Sequence, residues 1–112
     1  MNLRDRAKQM GNTLPLMENR QKAELALITD RNVTIDDYGF MKDSDGKEYV
    51  AFTVKEDLDN FFFGGQVLTE NMQELDADGY GAEIRKNGLP VLLSKKMSKA
   101  KREYTTVQFY PN

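Results

Sequence analysis

Asp45-Gly46 sits between two stretches of alternating apolar and polar residues, and it limits this chain more than any other feature. Asp-Gly strongly favours a tight turn in the left-handed region, and alternation on both sides of it reads as a β-hairpin. Before the turn, Val33 and Ile35 alternate with Thr34 and Asp36. Tyr38 and Phe40 then carry the large side chains on the opposite parity. One extra residue restores a common face, so a bulge is expected at Asp36-Asp37 or at Gly39, bending a first strand over residues 32–41. After the turn, Val50, Phe52 and Val54 share one face of a second strand over residues 48–55. Tyr49, Ala51 and Thr53 lie on the other.

The pattern continues through an acidic connection at residues 56–60 to a short third strand, Phe61-Phe62-Phe63, closed by Gly64-Gly65. A helix follows, with Thr69 as a candidate cap and an alternative start at Gln66 or Val67. Met72 and Leu75 face inward. Asp76-Ala77-Asp78-Gly79 ends this helix, and a second short one runs over residues 81–87 and stops at Gly88. A fourth strand is expected over residues 89–95, with Pro90 near its start, where a missing donor is tolerated. The turn then spans residues 96–101 and a fifth strand residues 102–110. The first 24 residues read as an arm, partly helical or disordered, with a short helix possible over residues 18–26. The main domain occupies residues 25–112.

With 112 residues the chain makes one domain with a small core, since 39% of it is hydrophobic and 30% charged. It has no Cys and no His. That removes disulfides, the usual zinc ligand sets, thiol nucleophiles and histidine triads, which shifts the expectation from enzyme to binding module. No cofactor is implied. No apolar run spans a bilayer and no leader pattern is visible, so the expected location is cytoplasmic, without a membrane partner.

Asp43-Ser44-Asp45-Gly46 and Asp76-Ala77-Asp78-Gly79 resemble calcium loops, but neither has the twelfth-position acid that closes an EF-hand shell, and both read as turns. Phe63-Gly64-Gly65 leads from strand to helix, a junction that can hold an anion on backbone N–H groups or simply let a helix pack closely. Asp36 and Asp37 would point to opposite faces, poor geometry for an acid–base pair.

Charge is the sharper signal. The net value of −2 divides into −8 over residues 1–84 and +6 over residues 85–112. Lys95, Lys96, Lys99, Lys101 and Arg102 fall within eight residues without an acid among them. A hairpin turn gathers them in space, and five clustered cations favour a polyanion through counterion release. Tyr104 on the same hairpin, with Tyr49 and Phe62 on other strands, would supply stacking surfaces for unpaired bases. The competing reading is a solvated hairpin tip whose tyrosines cover the core.

The element order β-β-β-α-β-β, mainly β with one or two short helices, resembles the OB-fold, a five-stranded, partly open barrel. Together with Tyr49-Val50-Ala51-Phe52-Thr53, Phe61-Phe62-Phe63-Gly64-Gly65 and residues 95–104, it is similar to the small single-stranded-DNA-binding-like proteins of phages and mobile elements of Gram-positive bacteria. The resemblance covers roughly residues 27–111. It implies a non-catalytic single-strand binder with Lys95, Lys96, Lys99, Lys101, Arg102, Tyr104, Tyr49 and Phe62 at the site. The chain departs from that pattern in having no Trp. The alternative is a protein–protein module of such an element, binding a protein partner or self-associating.

Overall fold

The structure, a computed structural model, describes residues 14–110. It is a mainly β fold of six strands and two helices. The strands are β1 (Gln21–Lys22), β2 (Asn32–Lys42), β3 (Glu48–Val54), β4 (Asp57–Phe63), β5 (Leu89–Met97) and β6 (Glu103–Phe109). The helices are α1 (Gln66–Ala77) and α2 (Gly81–Asn87). They form one open mixed sheet in the order β1-β4-β3-β2-β5-β6.

Strand β2 is the hub, and its two halves serve different neighbours. Residues 32–35 pair with β5, and residues 35–42 pair with β3. The break comes at the expected bulge. Ile35 faces Val54 and Asp37 faces Thr53, which leaves Asp36 as the extra residue. Its carboxylate accepts the Thr53 hydroxyl at 2.6 Å. The parity change therefore puts Val33, Ile35, Tyr38 and Phe40 on one face, where they meet Val50, Phe52, Val54, Phe62, Val91 and Leu93 in the core under α1.

A five-stranded, partly open barrel was expected; the described residues instead form six strands in an open sheet. Among the described residues β6 is hydrogen-bonded to β5 alone, and β4 gives its outer edge to β1, where Gln21 lies beside Asn60 and Lys22 beside Phe61. Helix α1 instead packs across β3 and β6. The helix expected over residues 18–26 is also absent. That segment makes β1 and then a 3-10 turn, Leu25–Ile28, whose Ile28 enters the core. Edge pairing to β4 outweighs the weak helical preference of these residues.

Strand β4 begins at Asp57, within what reads as an acidic connection. Glu56 ties its carboxylate to the Thr34 N–H at 2.7 Å, and Asp57 holds the Asn60 side chain at 2.8 Å. Helix α1 starts after Gly65, three residues before Thr69. Thr69 is not a cap: it is buried, and its hydroxyl accepts the Val50 N–H. Gly64 permits this close seat. A Cβ there would lie 2.6 Å from Val50 Cγ1 and 2.9 Å from Leu68 Cδ2, and its N–H is already donated to the Val50 carbonyl. Gly64 thus serves helix packing, whereas a Cβ at Gly65 would meet nothing within 4 Å. Asp43 closes the β2–β3 turn by accepting the Asp45 and Lys47 N–H groups, both at 2.9 Å.

Tyr38 links the sheet to both helices. Its hydroxyl donates to Asp76 at 2.6 Å, and the Arg85 guanidinium lies 4.7 Å over its ring while pairing with Asp37 at 3.0 Å. Burial, reinforced by the hydrogen bond and the Asp76 charge, pushes its pKa up to about 12. The folded state therefore holds a proton that the unfolded state releases near pH 10. Stability from this site is complete below pH 10 and is lost between pH 10 and about 12, with a slope of up to about 1.4 kcal/mol per pH unit. Chemical denaturation across that window should show a fall that Tyr38→Phe removes.

Candidate nucleic-acid interface

The β5–β6 hairpin runs past the rest of the sheet. Strand β2 stops pairing with β5 at Leu92, and Leu93 meets only the short bridge from Thr29 besides β6. From Ser94 onward β5 has, among the described residues, β6 as its sole partner, down to Met97 beside Glu103. The result is a two-stranded ribbon. Its turn is held by the Ser98 N–H on the Arg102 carbonyl and the Lys101 N–H on the Ser98 carbonyl, both 2.9 Å. Lys101 takes a positive φ of 60° there.

All five predicted cations are on this ribbon and all are exposed. Lys95 stands on β5 as expected, and Lys96 joins it because the strand continues two residues past its expected end. Lys99, Lys101 and Arg102 form the tip. None is in an ion pair among the described residues. Tyr104 is 42% exposed and lies directly across the ladder from Lys96, so ring and ammonium share one face. Ser94 and Thr106 extend that face toward the sheet. A run of one charge sign on a thin ribbon, with water on both sides, lets several phosphates approach at once.

The remaining predicted residues do not join this group. Phe62 is fully buried against Phe52, with ring centroids 5.8 Å apart, and cannot meet a base. Its neighbours Phe61 and Phe63 take the opposite, outer face. Phe63 is edge-on to Tyr49 at 5.1 Å and tilted against Phe61 at 5.6 Å, with Lys22 Nζ 5.4 Å from its ring centroid. Tyr49 is half-buried in this cluster, opposite Met41. Nine residues separate Met41 from Asn32 along β2, and four more separate Leu92 from Lys96 on β5, or roughly 40 Å of strand contour. The ribbon and Tyr49 therefore occupy opposite ends of the sheet.

The outer face between them is covered. A 3-10 turn, Pro15–Met17, crosses it. Leu14 fills the space over Gly39, where a Cβ would come within 2.7 Å of its Cδ1. Leu16 is buried, and so are Ala51 and Thr53, whose parity alone would leave them on an open face. Arg20 anchors the segment by donating to the Leu16 carbonyl at 2.8 Å and the Leu58 carbonyl at 3.1 Å. The first 13 residues of the expected arm lie outside the described residues.

The aromatic cluster at Phe61 and Phe63 was missed in the sequence because three consecutive Phe residues give no parity signal. Only the pairing of Ala51 with Phe63 and of Phe52 with Phe62 assigns the faces. No helix among the described residues is long and apolar enough to cross a membrane. No protein-family model, curated protein or solved structure matches this chain.

Proposed function

We propose that this protein is a non-catalytic binder of single-stranded nucleic acid, with DNA as the first ligand to test, and that it binds through the β5–β6 ribbon. The observation that carries this reading is the ribbon itself: five exposed cations without ion-pair partners among the described residues, with Tyr104 on the same rung as Lys96. The strand order supports it. With β1 set aside, β4-β3-β2-β5-β6 is the order of an OB-type barrel opened between its third and fifth strands, and the ribbon then corresponds to the loop between strands four and five that flanks ligands in that fold. The outer face behind Leu14 and Leu16 is closed to a ligand in this conformation, so the ribbon carries the contact.

Fluorescence-anisotropy titration of a labelled oligothymidylate at low and high salt tests the proposal. Affinity should fall steeply with salt, with a log–log slope of about −0.7 per phosphate neutralised. A duplex of equal length should bind less tightly, because its bases are not available to Tyr104. No binding at low salt, or binding indifferent to salt, would remove the proposal.

A further inference from the structure

The sheet has two edges, and they are built differently. One is β1, only two residues long and carrying Lys22, and a short, charged edge strand guards against further pairing. The other is β6, which has no such guard. Its seven residues include no Pro, Lys or Arg, and its register with β5 runs without a bulge from Glu103 to Phe109. Tyr, Thr, Val and Phe favour the extended chain along most of its length.

The register also shows which backbone groups of β6 point outward. The Tyr110 N–H donates to the Pro90 carbonyl, and the Ser98 N–H to the Arg102 carbonyl. The Leu93 carbonyl, across the ladder from Val107, turns away from β6 and accepts the Asp30 N–H. Hydrogen-bonded and open pairs alternate along an antiparallel ladder. The even-numbered residues of β6 therefore bond to β5, and Glu103, Thr105, Val107 and Phe109 turn their N–H and C=O groups outward. Those groups have no partner among the described residues. Val107 and Phe109 belong to the core side of the sheet, yet they are only half-buried, because no strand lies beyond them.

We infer that β6 is a self-association edge, pairing antiparallel with β6 of a second copy about a two-fold axis at Thr106. The sequence of the strand fits its own reverse. Centred on Thr106, Glu103 stands opposite the partner's Phe109, and Thr105 opposite the partner's Val107. All four outward residues then exchange both of their hydrogen bonds. Tyr104 faces the partner's Gln108 and Thr106 faces the partner's Thr106, so no like charges are opposed and a Thr–Thr pair sits on the axis. Moving the centre by one residue leaves outward groups at one end unpaired. The pairing uses up the one unguarded edge of each copy, so the assembly closes as a dimer.

Sedimentation velocity over a concentration series, without nucleic acid, tests this independently of the proposed function. The mass should rise to twice the 12.9 kDa of the chain. Thr105→Pro removes an outward N–H and no bond of the β5–β6 ladder, and should give a folded monomer. Thr106→Lys, which opposes two ammonium groups on the axis, should do the same by another route. The chain has no Cys, so introduced thiols report the register directly. Thr106→Cys should cross-link on oxidation, since Cα atoms in an open antiparallel pair lie about 4.5 Å apart, within disulfide reach. Gln108→Cys should cross-link only when mixed with Tyr104→Cys. A wild-type chain that stays monomeric throughout the series would overturn the inference. So would a dimer that persists in either folded variant, or a Thr106→Cys protein that does not cross-link.

Discussion

Replacing Lys96, Lys99 and Lys101 together with Glu is expected to weaken single-strand binding by roughly a hundredfold or more at low salt while leaving the fold intact. Both halves of that expectation follow from the ribbon's construction. The three side chains are exposed and make no ion pair among the described residues, so their loss removes nothing that stabilises the domain. Surface changes of this kind alter stability by about 0.5 kcal/mol or less. Binding, in contrast, loses three favourable contacts and gains three repulsive ones at one small surface. The salt slope should flatten in step, by about 0.7 for each phosphate contact removed. Anisotropy titrations at several salt concentrations, beside a thermal melt of the same sample, measure both quantities. Unchanged affinity in a folded variant would place the contact elsewhere.

Phe62→Ala is expected to do the opposite. Phe62 is fully buried beside Phe52, at the centre of the β3–β4 pairing and under α1. Truncating a core phenylalanine costs about 3–5 kcal/mol through lost transfer energy and the cavity left behind. A domain of this size is stable by only about 5–15 kcal/mol, so a large part of the margin disappears. Urea denaturation should show a much lower midpoint, while affinity per folded molecule stays near the wild-type value. Tyr104→Ala provides the contrast. It should leave the midpoint almost unchanged and lower affinity by about 1–3 kcal/mol if a base stacks on the ring. If Phe62→Ala were stable and bound weakly, the burial of Phe62 would be refuted.

The contrast between Phe62 and Lys96 shows where the sequence is informative. Lys96 and its neighbours act through charge, which is set by composition and needs only a turn to concentrate it. Both were visible. The bulge beside Asp36 was visible too, because a parity slip in large side chains has one simple geometric cure. Gly88 after α2 was visible for a similar local reason: the chain takes a positive φ of 83° there. Phe62 was misassigned because Phe61, Phe62 and Phe63 satisfy either parity. Thr69 was misread as a cap because a threonine near a helix start usually acts locally, whereas here it reaches across to Val50.

By itself the sequence determined the local content of this protein: the strand periods, the bulge, the helix stop and a ribbon carrying five cations. Period-two alternation separates two faces but does not say which faces the core when both are apolar, and it says nothing about partners far along the chain. The tertiary structure alone decided those matters. Long-range pairing buried Phe62 and exposed one side of Phe61 and Phe63. It placed Tyr49 at the opposite end of the sheet from Tyr104. It gave the β4 edge to Gln21–Lys22, a segment for which no strand was expected, and laid Leu14 over Gly39. Each of these is a contact between segments distant in sequence, formed because burying shared apolar surface outweighs the weak local preferences of the segments involved.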